Sequence, residues 1–240
     1  MLKPVLLELG GKAPLIVLDD ADLEAAVNAA AFGAFMNQGQ ICMSTERVIV
    51  DNAIADEFVG LFTRKAASLP AGDPRGGNVV LGSMIGIDAA ERVEVLVRDA
   101  VGRGAVPRTG GRREGTIMDA TVVDRVTPNM RIYYEESFGP VACVLRAADE
   151  ADAVRLANDT EYGLAASVFS RDIGRGLSVA RRVRSGICHI NGPSVHDEAQ
   201  MPFGGVKASG YGRFGGCAGI DFFTELRWIT IEDAKQHYPF

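Results

Sequence analysis

The sequence predicts an α/β protein: an open, mostly parallel sheet with flanking helices, followed by a C-terminal tail strand. Three observations carry that class. Short apolar runs with strand composition, such as LIVL, RVIV and VACVLR, recur along the 240 residues. They alternate with stretches whose apolar residues return at helical spacing, and strands separated by helices need crossover connections and therefore run parallel. Gly, Pro and Asp punctuate the junctions between them.

The elements follow in order. VLLEL, at residues 5–9, is nearly continuous apolar sequence and reads as a buried strand, after which GGKAP turns the chain into LIVL. Asp19, Asp20 and Asp22 supply carboxylates and a cap for a helix carrying Leu23, Val27, Ala30, Ala31 and Phe35 on one face and ending near Gly39. RVIV is the next strand, and AIADEFVGLFTRKAASL is an amphipathic helix stopped by Pro70 and Gly72. The alternation continues with a helix at DAAERVEVLVRDAV, strands at ATVVDRV and VACVLR, and a helix at DEADAVRLAND. A strand at ASVFS, a helix at DIGRGLSVARRVR and a strand at GICHIN complete it. The segment from Gly102 to Gly115 is polar and reads as a surface loop. A glycine-rich stretch, QMPFGGVKASGYGRFGG, precedes a late strand, RWITI, which has no helix after it and suits pairing with another sheet, in the same subunit or a neighbour.

Composition narrows the partners. A hydrophobic fraction of 47% is ample for a packed core. The net charge of −6, with Lys and Arg scattered, gives no electrostatic reason to expect nucleic acid or an anionic membrane. No run approaches the roughly 18 apolar residues of a membrane helix. The opening MLKPVLLELGGK, interrupted by Glu8, does not read as a secretory signal, so a cytoplasmic location is expected. Cys42, Cys143, Cys188 and Cys217 are 101, 45 and 29 positions apart, which fits no zinc or CxxC redox spacing. Free thiols and no metal site are expected.

Cys42 is the first candidate for chemistry. A lone cysteine is commonly a small packed residue. Cys42, however, lies beyond a helix end among Gly39, Gln40, Ser44 and Thr45, where backbone N–H groups are free to favour a thiolate or to bind an oxyanion. An acyl intermediate on a cysteine needs a base to activate water. Glu8 is the candidate, because a carboxylate inside an apolar strand is costly to bury ionised and its pKa should rise; the competing reading leaves Glu8 facing solvent. His189, His196 and His237 form no protease-like arrangement. In EESFGPV, Gly139 and Pro140 turn the chain before a strand and place Glu136 and Phe138 at the sheet edge where α/β proteins bind ligands. The six glycines among the 13 positions from Gly204 to Gly216 match neither phosphate-loop pattern and indicate tight backbone geometry.

Together LELGGK (7–12), GQICMST (39–45), EESFGPV (135–141), YGLAASVFS (162–170) and PFGGVKASGYGR (202–213) closely resemble the aldehyde dehydrogenase superfamily. Within it, GQICMSTER and NGPSVHDEAQMPFGGVKASGYGRFGG look most like the bacterial enzymes acting on aromatic aldehydes such as salicylaldehyde, benzaldehyde or vanillin. The resemblance implies that Cys42 attacks an aldehyde to give a thiohemiacetal, that hydride passes to NAD or NADP, and that water activated by Glu8 hydrolyses the thioester. It further implies that Glu136 holds the nicotinamide ribose, that Phe138 packs by the nicotinamide, and that Leu9 and Gly10 approach the ring through backbone. Phe203 would line the substrate tunnel, and the loop Ile190 to His196 would help choose the aldehyde.

Family members are about twice this length, and most of the dinucleotide-binding domain precedes LELGGK in them. The expectation is that residues 1–12 are the last strand of a truncated dinucleotide-binding domain, 13–216 the catalytic domain, and 217–240 a tail with an oligomerisation strand. Most of the NAD or NADP site is then expected outside this chain, with a homo-oligomer in the full-length form. Two other readings stand beside the enzyme: an inactive fragment or oligomerisation partner needing a separate cofactor-binding chain, and a weak cysteine esterase. Selective alkylation of Cys42 ahead of the other three cysteines is expected.

Overall fold

The computed structural model describes residues 3–232 and 235–240. The strands are β1 (Leu7–Glu8), β2 (Ala13–Val17), β3 (Thr45–Asp51), β4 (Val106–Thr109), β5 (Arg113–Glu114), β6 (Ile117–Met118), β7 (Thr121–Asp124), β8 (Val141–Ala147), β9 (Ala165–Phe169), β10 (Ile187–Ile190) and β11 (Gly210–Tyr211). The helices are α1 (Leu23–Phe35), α2 (Ala55–Ala67), α3 (Ile87–Gly102), α4 (Arg131–Tyr134), α5 (Glu150–Asn158), α6 (Ile173–Ala180) and α7 (Gly216–Phe222).

Seven strands form one sheet in the order β10-β9-β2-β3-β8-β7-β4, parallel throughout except for β4. The predicted α/β class and mostly parallel sheet are therefore present. β2, β3, β8 and β9 are almost wholly buried, which is why they read as continuous apolar runs rather than as alternations. Their two faces feed separate cores. Leu15, Val17, Val48, Val50 and Val144 pack under α1 and α2, while Ile16, Ile49, Leu145 and Val168 pack under α3, α5 and α6. Asp22, Asp149 and Asp172 cap α1, α5 and α6 through their carboxylates, as the sequence signals indicate.

Three expectations change. VLLEL is not a buried strand: only Leu7 and Glu8 pair, antiparallel to Gly210 and Tyr211 and outside the main sheet, leaving Val5 and Leu9 exposed. The polar stretch from Gly102 to Gly115 is not simply a loop, because Val106–Thr109 closes the sheet as its antiparallel edge strand. An edge strand with one open side tolerates Pro107 and Arg108, and this hid it. The tail stretch RWITI forms no strand in the single chain; Leu226, Trp228, Ile229 and Ile231 are exposed and pair with no sheet edge. A strand exists only through its partner.

Candidate active site

Three of the quoted motifs meet at one end of the sheet. LELGGK runs into the start of β2, the Cys42 loop into β3 and EESFGP into β8, and these strands are parallel neighbours. The site therefore sits at the amino ends of these strands, whereas open α/β sheets usually bind ligands at the carboxyl ends. The consequence is electrostatic. α1 delivers its carbonyl end toward the Cys42 loop through the turn Met36–Gly39, and that end of a helix dipole disfavours an anion.

Cys42 is half-buried. Burial pushes its thiol above the ordinary 9.0, the carboxylates of Glu8 and Glu136 push further, and the backbone N–H groups of Cys42 and Met43 oppose them. The loop's own N–H groups do favour thiolate, as expected, but burial and the two carboxylates outweigh them. Glu8 is half-buried on β1, and its Oε1 is buried with no hydrogen-bond partner. Burial raises its pKa above 4.5, against a backbone hydrogen bond from Gly205 and the charge of Arg213. A carboxyl of this kind is suited to take a proton from water near neutral pH.

The approach of LELGGK to the Cys42 loop is exceptionally close at Gly11. A Cβ built there would lie 2.1 Å from the carbonyl oxygen of Cys42, so only glycine fits. The Gly11 N–H donates to Oε1 of Glu136 at 2.7 Å. Burial raises the Glu136 pKa, with that N–H opposing and Glu46 adding to the rise. Ser209 ties the glycine-rich stretch to the same place: its hydroxyl donates to Gly10 O at 2.7 Å, and its carbonyl accepts from Leu9 N at 3.1 Å.

Phe203 packs in one apolar cluster with Cys42, Ile41, Met43, Ile187 and Val195. Phe138 is half-buried beside Glu136 and has a left-handed backbone, φ +48°. The structure does not bring Ile190 into this group. Its side chain meets Gly176 of α6, because alternation along β10 turns Cys188 and Ile190 to that face and gives Ile187 to the cluster that Cys42 also packs against. His196 is exposed, edge-on to His189 and 3.3 Å from Glu198, and it lines with Phe203 and Met201 a cavity of about 390 Å³. No cluster of metal ligands occurs among the described residues. Among the described residues no helix is long and apolar enough to cross a membrane.

Sequence reasoning missed the polar scaffold behind these residues. Arg47 is fully buried, with its guanidinium donating to the carbonyls of Lys12, Leu156, Ala157 and Asp159. Burial pushes its pKa down to about 10, so it remains charged at neutral pH. Ser194, also fully buried, donates to Met43 O at 2.7 Å and lies 2.7 Å from Thr45 Oγ1, fixing the loop after β10 against the Cys42 loop. Lys12 and Glu46 form a buried ion pair at 2.5 Å. A charge inside a strand-like run was the available signal for Lys12, Glu46 and Arg47.

The Cys42 expectation also needs revision. Cys143 is buried with its thiol pushed up to about 11, and Cys188 likewise to about 11, but Cys217 is exposed on α7. Access alone lets Cys217 compete for an alkylating reagent.

Comparison with known proteins matches this arrangement. The profile of the Aldehyde dehydrogenase family matches residues 1–229. A vanillin dehydrogenase of Pseudomonas fluorescens is 62% identical over 238 residues, 99% of this chain and 49% of that protein. A salicylaldehyde dehydrogenase of Pseudomonas sp. (strain C18) is 55% identical over 240 residues, 100% of this chain and 50% of that protein. The crystal structure of a salicylaldehyde dehydrogenase from Pseudomonas putida G7 complexed with salicylaldehyde superimposes with a TM-score of 0.94 at 54% identity, over 98% of this chain and 49% of that one. The chain spans about half the length of the relatives it matches.

Proposed function

The chain belongs to the aldehyde dehydrogenase family, and from that premise we propose that it is the catalytic portion of an enzyme oxidising an aromatic aldehyde to its carboxylic acid with NAD or NADP. Residues 13–216 form the catalytic domain, 1–12 contribute to a dinucleotide-binding domain, and 217–240 join subunits of a homo-oligomer through the exposed Trp228 to Ile231 segment. The single observation that carries the reading is a half-buried Cys42 thiol near enough to Glu8 for that carboxylate to raise its pKa, with Glu8 Oε1 itself buried and without a hydrogen-bond partner.

The roles follow from placement. Cys42 loses its proton to solvent, and its Sγ adds to the aldehyde carbon while the Cys42 N–H turns to the carbonyl oxygen as charge develops on it. With an oxidised nicotinamide bound to accept hydride, the thiohemiacetal would give up hydride and its hydroxyl proton to leave a thioester on Cys42. Glu8 then takes a proton from water, the resulting hydroxide attacks the thioester carbon, and the cysteine sulfur leaves. Phe203, Ile187 and Val195 give the aldehyde ring an apolar wall beside the sulfur.

The residues present fit the nicotinamide end of a dinucleotide. Glu136 Oε2 takes no hydrogen bond from the described residues and is available to ribose hydroxyls. Gly10 lacks the Cβ that would stand 2.8 Å from that oxygen. Glu136 and Phe138 would hold the ribose and ring, with Leu9 and Gly10 lining the approach. When bound, the oxidised nicotinamide supplies the hydride acceptor.

The test separates acylation from oxidation. With a benzoate ester of nitrophenol, Glu8→Gln should accumulate a benzoyl adduct on Cys42 by mass spectrometry, wild type should clear it, and Cys42→Ala should form none. An adduct elsewhere, or equal clearance in Glu8→Gln, overturns the roles. Cysteine-dependent reduction of NAD or NADP with vanillin or salicylaldehyde would distinguish a dehydrogenase from a simple esterase.

A further inference from the structure

The buried pair Lys12–Glu46 belongs to none of the steps above, yet it lies behind the two residues assigned to the nicotinamide end. Lys12 Nζ is 2.5 Å from Glu46 Oε2 and donates to Ser137 Oγ at 3.1 Å. Glu46 Oε1 accepts from the N–H groups of Ser137 at 3.0 Å and Phe138 at 2.9 Å, and Oε2 accepts from Ser137 N–H at 2.7 Å. From the outer side Arg92 holds the same turn, donating to the carbonyls of Glu136 at 2.7 Å and Ser137 at 2.8 Å.

Stability alone is a weak reason for such a pair. A buried ion pair is commonly matched or bettered by apolar residues of the same volume, because desolvation offsets the attraction. Geometry gives the better reason. Phe138 has φ +48°, a conformation costing about 1–2 kcal/mol for a residue with a Cβ. Two successive N–H groups converging on one carboxylate form a small anion nest, which holds the chain in that conformation. Lys12, itself one residue beyond Gly11, neutralises the carboxylate and grips the Ser137 hydroxyl.

We infer that Lys12 and Glu46 are positioning residues that lock Glu136, Ser137 and Phe138 in the shape needed to receive the nicotinamide riboside end of the cofactor. The inference rests on the proposed cofactor role of Glu136 and Phe138. Neither Lys12 nor Glu46 touches the reacting atoms; they act through the turn.

The test uses nicotinamide mononucleotide as probe and this chain carrying Cys217→Ser, with dissociation constants measured by NMR titration and Cys42 alkylation rates measured in parallel. The double variant Lys12→Met/Glu46→Gln removes both charges and keeps similar side-chain volume. If the turn becomes competent only about a tenth of the time, binding weakens about tenfold, while Cys42 alkylation stays near wild type. Unchanged affinity in the folded double variant overturns the inference, and so does a parallel loss of binding and alkylation, which marks a general structural defect. Absence of any binding to wild type defeats the cofactor reading itself, and the inference with it. Should the double variant not fold, Ser137→Ala deletes only the Lys12 hydroxyl contact. It should weaken the probe severalfold, and no change overturns the inference.

Discussion

Adding one methyl group at Gly11 should disable Cys42 without touching it. A Cβ at Gly11 would stand 2.1 Å from the Cys42 carbonyl oxygen and 3.2 Å from its carbon, whereas ordinary contact begins at 3.4 Å. The oxygen must therefore retreat by 3.4 − 2.1, or about 1.3 Å, or the glycine must shift by as much. Neither side can yield freely. Gly11 N–H is bound to Glu136, and the Cys42 loop is pinned by Ser194 on Met43 O and by the Ser44 hydroxyl on Gly39 O. A misplacement of roughly 1 Å costs on the order of 100-fold in rate, so Gly11→Ala should lower Cys42-dependent ester cleavage by about that factor and stability by about 1–3 kcal/mol. Gly10→Ala is the informative neighbour. Its Cβ would meet only the flexible end of Glu136, at 2.8 Å, so the side chain can swing aside and Cys42 should keep most of its reactivity. Rates of ester cleavage and urea unfolding curves, with Gly60→Ala on the open face of α2 as control, decide the matter. Wild-type Cys42 reactivity in Gly11→Ala would refute the reasoning.

Two further outcomes are expected. Arg47→Met should cost about 3–5 kcal/mol, since it strips the charge-assisted donor from four buried carbonyls, including those of Leu156 and Ala157 at the end of α5; a thermal melt lowered by only 1–2 °C would contradict it. Glu8→Gln should have a pH-dependent stability difference from wild type. The folded Glu8 pKa is raised above 4.5, so the stability linked to the protonated carboxyl is present below that value and lost as pH rises through the folded pKa. The variant should gain on wild type across that window, and urea midpoints with a constant difference from acid to neutral pH would count against it.

The fold was legible where a segment's neighbours are the same in every α/β sheet. Buried strands such as β3 and β8 carry their apolar runs regardless of which helix covers them, so RVIV and VACVLR identify themselves. β4 and the Trp228 to Ile231 segment were not readable in this way, because pairing at an edge depends on what lies alongside it. Cys42 and Glu8 stood out as candidates through chemical incongruity, a thiol among flexible polar residues and a carboxyl in an apolar run. Ile190 was carried in by membership of a loop. Counting alternation from Ile187 would have sent Ile190 to α6 and put Ile187 in the apolar cluster that Cys42 also packs against.

The polarity of the site explains why its scaffold is so heavily bonded. At the amino end of β3 the chain arrives from the carbonyl end of α1, so the local field opposes a thiolate on Cys42. Cys42, Glu8 and Glu136 are all shifted toward their neutral forms, chiefly by burial. The nearby buried ammonium, Lys12, relieves only Glu136 and only in part, because Glu46, which holds it at 2.5 Å, pushes that carboxyl the other way. Keeping these groups within reach of one another then falls to close backbone packing and hydrogen bonds. The close approach at Gly11, the Ser194 and Ser209 hydroxyls, and the Glu46 nest under Phe138 supply it, each joining two motifs far apart in sequence. In the mechanism proposed above the same burial suits Glu8 to its task, because a carboxyl with a raised pKa is a stronger base toward water once the sulfur is acylated.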